Sequence, residues 1–366
     1  MKQAKRWVCG LLAGILALLG LSAAAVYWID PCLYYRMPDQ WDAVFFNERY
    51  QAAGLARNVP ADTVLVGSSM AANYRASDIT EAFDSPAVRI TIPDGFFQEF
   101  DQVMDVLFRS RPRERILFAL DANILLRDDS GVTDAMPKYL YDNNPFNDVT
   151  YLLNKDTLYY SAYVLAANGW GQGQSLDEGF TWDQGIWWNH MAALEEYQRP
   201  EIEPKTLAPD ALLPVAKENL AVVEQWITEH PETEFRIFLS PYSILYWDKN
   251  DRQGRTEAIF TALEYSCQEL LDHENVRLYG YLFDREIVEN LDHYCDYVHH
   301  SGDVSREILQ KMAADEGRLT KENYRETLAN WREFVINYDY EKFWDDGFWA
   351  AWNQQHGAPE TKPEPA

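Results

Sequence analysis

Apolar residues fall along the chain in two alternating rhythms. Thr63 to Val66 is a β-branched and apolar run held between Pro60 and Gly67, which predicts a buried strand. Asp78 to Phe83 predicts a short helix with an acidic first turn, and Val88 to Ile92 a second strand running into Pro93-Asp94-Gly95. Phe97, Phe100, Val103, Met104, Leu107 and Phe108 keep a helical period, and Arg115 to Leu120 predicts a third strand. The rhythm breaks from Asn123 to Pro209 and then resumes. A helix over Asp210 to Glu229, a strand over Phe235 to Leu239, a helix over Thr256 to Leu271 and a strand over Val276 to Gly280 follow. Further helices are expected near Phe45 to Ala56, over Val149 to Leu165, from about Asp303 to Ala314, and over Lys321 to Tyr338. This alternation implies an α/β fold with a doubly wound parallel sheet.

The N-terminus has a different pattern. Lys2, Lys5 and Arg6 precede an uncharged stretch from Trp7 to Ile29. Roughly twenty apolar residues span a bilayer as a helix, and the basic flank places the N-terminus inside. Residues 1–29 therefore read as an uncleaved single-pass anchor, with Tyr27 and Trp28 at the outer interface. Ser22-Ala23-Ala24-Ala25 supplies the alternative, a signal-peptidase site. In either case the rest of the chain is expected outside the cytoplasm. Residues 30–60 read as a juxtamembrane segment, 61–340 as the extracytoplasmic domain, and 354–366 as a disordered tail.

The interruption at 123–209 is too long for a plain loop and reads as a cap on the sheet domain. It is rich in Tyr, Trp, Asn and Gly. Trp182, Trp187 and Trp188 are candidates for lining a substrate groove, with packing of the cap as the alternative; Tyr242, after the fourth strand, is a further candidate. The 366 residues carry a net charge of −26 with a pI of about 4.6. Such a chain is repelled by nucleic-acid phosphates. Cys9, Cys32, Cys267 and Cys295 are too scattered for a disulfide framework, and no Cys/His spacing suggests a metal. No phosphate loop or dinucleotide fingerprint is present, so no cofactor is expected.

Two stretches carry candidate chemistry. Gly67-Ser68-Ser69 follows the first strand, at the carboxyl edge where open α/β sheets bind ligands. Ser69 is the candidate nucleophile. Far downstream, Asp296 and His299 stand three apart on an aromatic-rich loop. A carboxylate at that spacing can hold an imidazole in one tautomer while its other nitrogen faces a serine.

Together these blocks resemble the SGNH (GDSL-like) hydrolase superfamily, which places Gly-Asp-Ser after its first strand and Asp-x-x-His near its C-terminus. The sequence is closer to membrane-anchored bacterial members with Gly-Ser-Ser-Met-x-x-Asn-(Phe/Tyr) and Tyr-x-Asp-x-x-His-(Tyr)-Ser. Gly67-Ser68-Ser69-Met70-Ala71-Ala72-Asn73-Tyr74 and Tyr294-Cys295-Asp296-Tyr297-Val298-His299-His300-Ser301 match these, with His300 at the frequent tyrosine. The resemblance implies a flavodoxin-like three-layer fold and a Ser69–His299–Asp296 triad. It implies an oxyanion hole that includes Gly95, a glycine also explained by its turn. The superfamily's third block, Gly-x-Asn, falls on Ala119-Leu120-Asp121, so the chain departs from the pattern there. A carboxylate repels an oxyanion unless it is protonated or turned away. Asn73 and Asn123 are the candidate replacement amides. His300 is a rival base, and His293 is expected to be an ordinary surface histidine.

Relatives of this branch, such as the D-alanyl transfer and alginate acetylation proteins, act on cell-envelope polymers. The expected function is thus O-acyl esterase or acyltransferase chemistry on envelope glycans. Its partners would be an acylated glycan or another envelope polymer, and a membrane-bound acyl-transfer protein. The alternative from another class is a catalytically silent glycan-binding or polymer-assembly protein.

Overall fold

The computed structural model describes residues 2–128 and 136–357. By their internal contacts the described residues form two compact units: 2–60, 102–112 and 136–180 in one, and 61–101, 113–128 and 181–357 in the other.

The first unit begins with helix α1, Lys2–Ile29, and includes α2, Glu48–Asn58. Asn47 caps α2 by accepting a hydrogen bond from the Tyr50 N–H at 3.2 Å. α1 is exposed along most of its length, and Val26 and Ile29 are buried at its end. Ile29 shares a small core with Val44, Val164 and Ala167. The next residue, Asp30, is buried at φ 51°. Its carboxylate accepts from the Tyr34, Tyr35 and Arg36 backbone N–H groups and from the Tyr151 hydroxyl, the last at 2.7 Å. Residues 30–60 are therefore a packed part of this unit rather than a connection. The expected cap, 123–209, is divided: 136–180 packs here, because Val164 and Ala167 complete the core around Ile29, whereas 181–209 belongs with the sheet. The helix expected over Val149 to Leu165 is two helices, Val149–Leu152 and Lys155–Gly169. Asn154 breaks it by capping the second, accepting from the Asp156 N–H at 2.8 Å.

The second unit is an α/β layer structure around a six-stranded, mostly parallel sheet. Its strands are β1 Thr63–Gly67, β2 Ala87–Thr91, β3 Arg115–Leu120, β4 Glu234–Leu239, β5 Val276–Tyr279 and β6 Arg318–Leu319. The order is β2-β1-β3-β4-β5-β6, with only β6 antiparallel. Val66 stands beside Ile90 on one neighbour and Phe118 on the other. Helices cover both faces, which is why the strands read as unbroken apolar runs. On one face, α3 (Ala76–Phe83) packs with Gly302–Ala313. On the other lie α4 (Phe97–Ser110) and Leu213–Glu229, where Phe100 and Trp226 both meet the Phe118 ring. The chain leaves β1 for the edge strand β2 and returns to β3 on β1's other side. In open α/β sheets such a reversal marks the carboxyl end of β1 as the place where ligands bind.

Several elements escaped the sequence pattern, among them the helices His190–Glu196 and Ile244–Arg252, the strand β6 and the last described helix. β6 is only two residues long. The helix Asp346–His356 takes in Gln354, Gln355 and His356, which were expected in a disordered tail. Phe348, Trp349 and Trp352 lie on this helix at helical spacing, and Trp349 stacks on His190 at 3.9 Å. Residues 358–366 lie outside the described residues.

Candidate active site

The turn after β1 is built by close packing. A Cβ on Gly67 would stand 2.7 Å from the Ala119 Cβ and 2.8 Å from the Ala71 Cβ, so only glycine lets the chain turn there. Ser68 then caps a single tight helical turn, Ser69–Ala71, its Oγ accepting from the Met70 N–H at 3.2 Å. Ser69 is the first residue of that turn, where backbone N–H groups have no intrahelical acceptor. Its N–H makes no hydrogen bond to any described group.

The loop after β5 reaches the same point. Tyr294 and His300 form an isolated antiparallel bridge, and the Cys295 N–H donates to the His299 carbonyl at 3.2 Å. The Tyr294 hydroxyl, fully buried, donates to the Pro241 carbonyl, and the Ser243 hydroxyl donates to the Tyr297 carbonyl. The loop is thus fastened to the end of β4. Ser69 Oγ lies 2.9 Å from His299 Nε2, and His299 Nδ1 lies 2.6 Å from Asp296 Oδ2. The other carboxylate oxygen accepts from the Val298 and His299 N–H groups, both at 2.7 Å. Burial pushes the Asp296 carboxyl up, but these hydrogen bonds outweigh it and hold the group below its ordinary value. An ionised Asp296 accepts the Nδ1 proton, which leaves Nε2 as an acceptor facing the serine. The three side chains have the geometry of a nucleophile, a base and an orienting carboxylate.

The other expected site residues divide. Gly95 does not serve: its N–H donates to the Ile92 carbonyl at 2.9 Å within its own turn. A Cβ there would stand 2.7 Å from that carbonyl oxygen, so the turn explains the glycine. Asn73 is buried, and its Oδ1 accepts from the Trp182 N–H at 3.2 Å, while its side-chain N–H groups bond no described group. It remains a candidate amide for an oxyanion. Asn123 has an exposed side chain, and its backbone N–H donates to the Tyr242 hydroxyl. Tyr242 is buried against Tyr246 and offers no surface to a substrate. The Trp182 and His299 rings stand perpendicular with centroids 5.0 Å apart, and Trp182 pairs with Trp188 at 5.5 Å. Trp187, in the same segment, is half-buried. His300 is no rival base: its ring is buried with Nδ1 near the Ser301 carbonyl, and burial lowers it to about 4. His293 is half-buried, with Nε2 2.9 Å from Asn290 Nδ2, rather than a free surface residue.

Asp121, expected to repel an oxyanion unless protonated or turned away, has its carboxylate engaged by a neighbouring hydroxyl. Fully buried, it accepts a short hydrogen bond from the Ser68 hydroxyl, the residue that caps the turn carrying Ser69. Burial pushes its carboxyl up to about 6. The sequence assigned no role to Ser68, although a serine directly before a tight turn is a familiar cap. It also missed Asp183, whose carboxylate accepts from the Gly302 N–H at 3.0 Å and fixes the helix that follows the histidine loop. No local pattern signals a pair 119 residues apart. Among the described residues no group of three or more His, Cys, Asp and Glu side chains is placed to hold a metal ion. No protein-family model and no curated protein matches this chain.

Proposed function

We propose that this chain is a membrane-anchored, extracytoplasmic SGNH-type serine hydrolase or acyltransferase acting on O-acyl groups of cell-envelope glycans. The observation that carries the reading is the continuous contact from Ser69 through His299 to Asp296. His299 takes the Ser69 proton as Oγ attacks the ester carbonyl carbon. The Ser69 N–H and the Asn73 amide stabilise the resulting oxyanion. Collapse breaks the bond to the glycan oxygen, which leaves with the proton from His299. The acyl-serine then passes its acyl group to water or to a second hydroxyl, again with His299 as base. The extracytoplasmic and membrane-anchored part of the reading is supported by α1, which is long and apolar enough to cross a membrane. Its end, at Val26 and Ile29, is packed into a folded unit.

The alternative, a silent glycan-binding or assembly protein on the same scaffold, is favoured by one observation: the Gly95 N–H is already engaged, which removes a second backbone donor. Fluorophosphonate labelling of the full chain in detergent separates the two. Labelling of the wild type that disappears in Ser69→Ala and His299→Ala supports the enzyme. A folded wild type that resists labelling while retaining acetylated glycan on a binding assay would sink it in favour of the binding module.

A further inference from the structure

Beyond an exposed Lys155–Asp156 ion pair in its first turn, the helix Lys155–Gly169 carries no charge, and apolar and aromatic side chains dominate its exposed surface. Thr157, Ser161, Val164 and Ala167 form its buried face, within the first unit. The opposite face carries Leu158, Tyr159, Tyr163 and Leu165, all exposed, and Trp170 follows at 74% exposure. Val149 and Leu153, in the turn before it, are exposed as well. No charged residue occurs between Asp156 and Asp177. A helix on the surface of a soluble protein turns charged residues outward; one that is apolar all round lies in a core or in lipid.

Past the exposed Lys155–Asp156 pair, the side chains of Thr157, Ser161 and Asn168 are satisfied by backbone carbonyls. Thr157 Oγ1 donates to the Tyr151 carbonyl at 2.6 Å, and Ser161 Oγ donates to the Thr157 carbonyl at 2.7 Å. Asn168 Nδ2 donates to the Val164 carbonyl at 3.0 Å. That is the arrangement demanded where water is scarce. The helix also packs against α1, and the covered positions of α1 are confined to its last two turns: Ser22, Ala23, Ala25, Val26 and Ile29. Upstream, Leu11 to Leu21 are exposed. The contact therefore sits at the outer end of the apolar span, beside the exposed rings of Tyr27 and Trp28. Tyr and Trp favour the headgroup level of a bilayer.

We propose that Lys155–Gly169 lies in the outer interface of the bilayer that α1 enters, with its Leu158, Tyr159, Tyr163 and Leu165 face in contact with lipid. The proposal rests on α1 being a membrane span. With 15 residues the helix is about 22 Å long, too short to cross a hydrocarbon core of about 30 Å. It is long enough to lie along the surface of that core. Attachment comes from apolar area and not from charge, because the chain is strongly acidic. The helix and α1 together form a two-part foot, one part crossing and one lying flat.

The test uses the full chain in liposomes, with a bimane label at one introduced cysteine in a Cys9→Ser background. Cys32 and Cys267 are buried, and the unsubstituted background corrects for Cys295. Leu16→Cys reports on α1 and Tyr163→Cys on the helix; both positions are exposed, so neither change disturbs packing. Lipids carrying a quencher near the headgroup should quench the Tyr163 site several-fold more than lipids quenched near the chain end, and the Leu16 site should show the reverse. Quenching at Leu16 with none at Tyr163 overturns the interfacial helix and leaves the anchor standing. Absence of quenching at both sites overturns the anchor and the helix together. Energy transfer between labelled copies at Tyr163, without lipid quenching, assigns the face to a second copy and overturns the proposal.

Discussion

Asp296 and Asp121 are two carboxylates near one serine, and their surroundings push them in opposite directions. Asp296 is held low by the His299 hydrogen bond despite burial, so its contribution to stability is complete above about pH 4 and is lost as pH falls through its lowered value. Asp296→Asn removes the charge that fixes the imidazole tautomer. It should reduce turnover of an activated ester on the order of 10³- to 10⁴-fold and lower the melting temperature near neutral pH, where the carboxylate's contribution is complete, with the difference shrinking in acid. Asp121 behaves in the opposite sense. Its carboxyl is raised from 3.8 to about 6 by burial, so the native state holds its proton longer than the unfolded state and stability falls as pH rises from about 4 to 6. Asp121→Asn keeps an acceptor for Ser68 and removes the buried charge. Thermal melts should show this variant gaining on the wild type between pH 4 and pH 7, by at most about 3 kcal/mol. A constant difference across that range would mean that Asp121 is not titrating in the fold.

At the scale of elements, the site is the meeting of two sheet-edge turns. The β1 turn depends on Gly67, and Gly67→Ala must displace either Ala119 or Ala71. A loss of about 1–3 kcal/mol in urea unfolding is expected from such overpacking. The histidine loop depends on β4 through Tyr294, Pro241, Ser243 and Tyr297. Ser243→Ala should therefore lower turnover without weakening labelling selectivity for Ser69, because it loosens the loop that presents His299; unchanged turnover would separate the two turns. The five parallel strands were legible because both faces of each are covered, which leaves an apolar run. The break at Asn154 was not, since a capping asparagine interrupts a helix without interrupting its apolar pattern. β6 was too short to leave any pattern.

Across the whole molecule, the last described helix is tied back to the chain just before the triad loop. Asp292 accepts from the His190 backbone N–H at 3.0 Å and from Trp352 Nε1 at 2.7 Å, and it lies 2.7 Å from His190 Nδ1. Burial raises its carboxyl, yet these bonds prevail and bring it to about 2. Trp352→Phe keeps the ring and deletes one hydrogen bond to a charged acceptor. It should cost about 1.5–3 kcal/mol and speed proteolytic trimming of the C-terminal helix. Trimming at the wild-type rate would show that the aromatic stacking alone holds it. The charge of −26 is a property of the same scale: it speaks of solubility and of repulsion from polyanions, and says nothing of the fold.

The sequence by itself determined what is written in local periodicity. That includes the apolar N-terminal helix, the parallel strands with their helices, and the two blocks that hold Ser69, Asp296 and His299. Tertiary structure alone decided three other matters. It bonded the Asp121 carboxylate to the Ser68 hydroxyl and engaged the Gly95 N–H in its own turn. It also split the expected cap, assigning 136–180 to the unit that begins with α1. The physical reason is common to all three. Periodicity records how much water a position sees, whereas hydrogen-bond direction and the choice of packing partner depend on residues far apart in the chain.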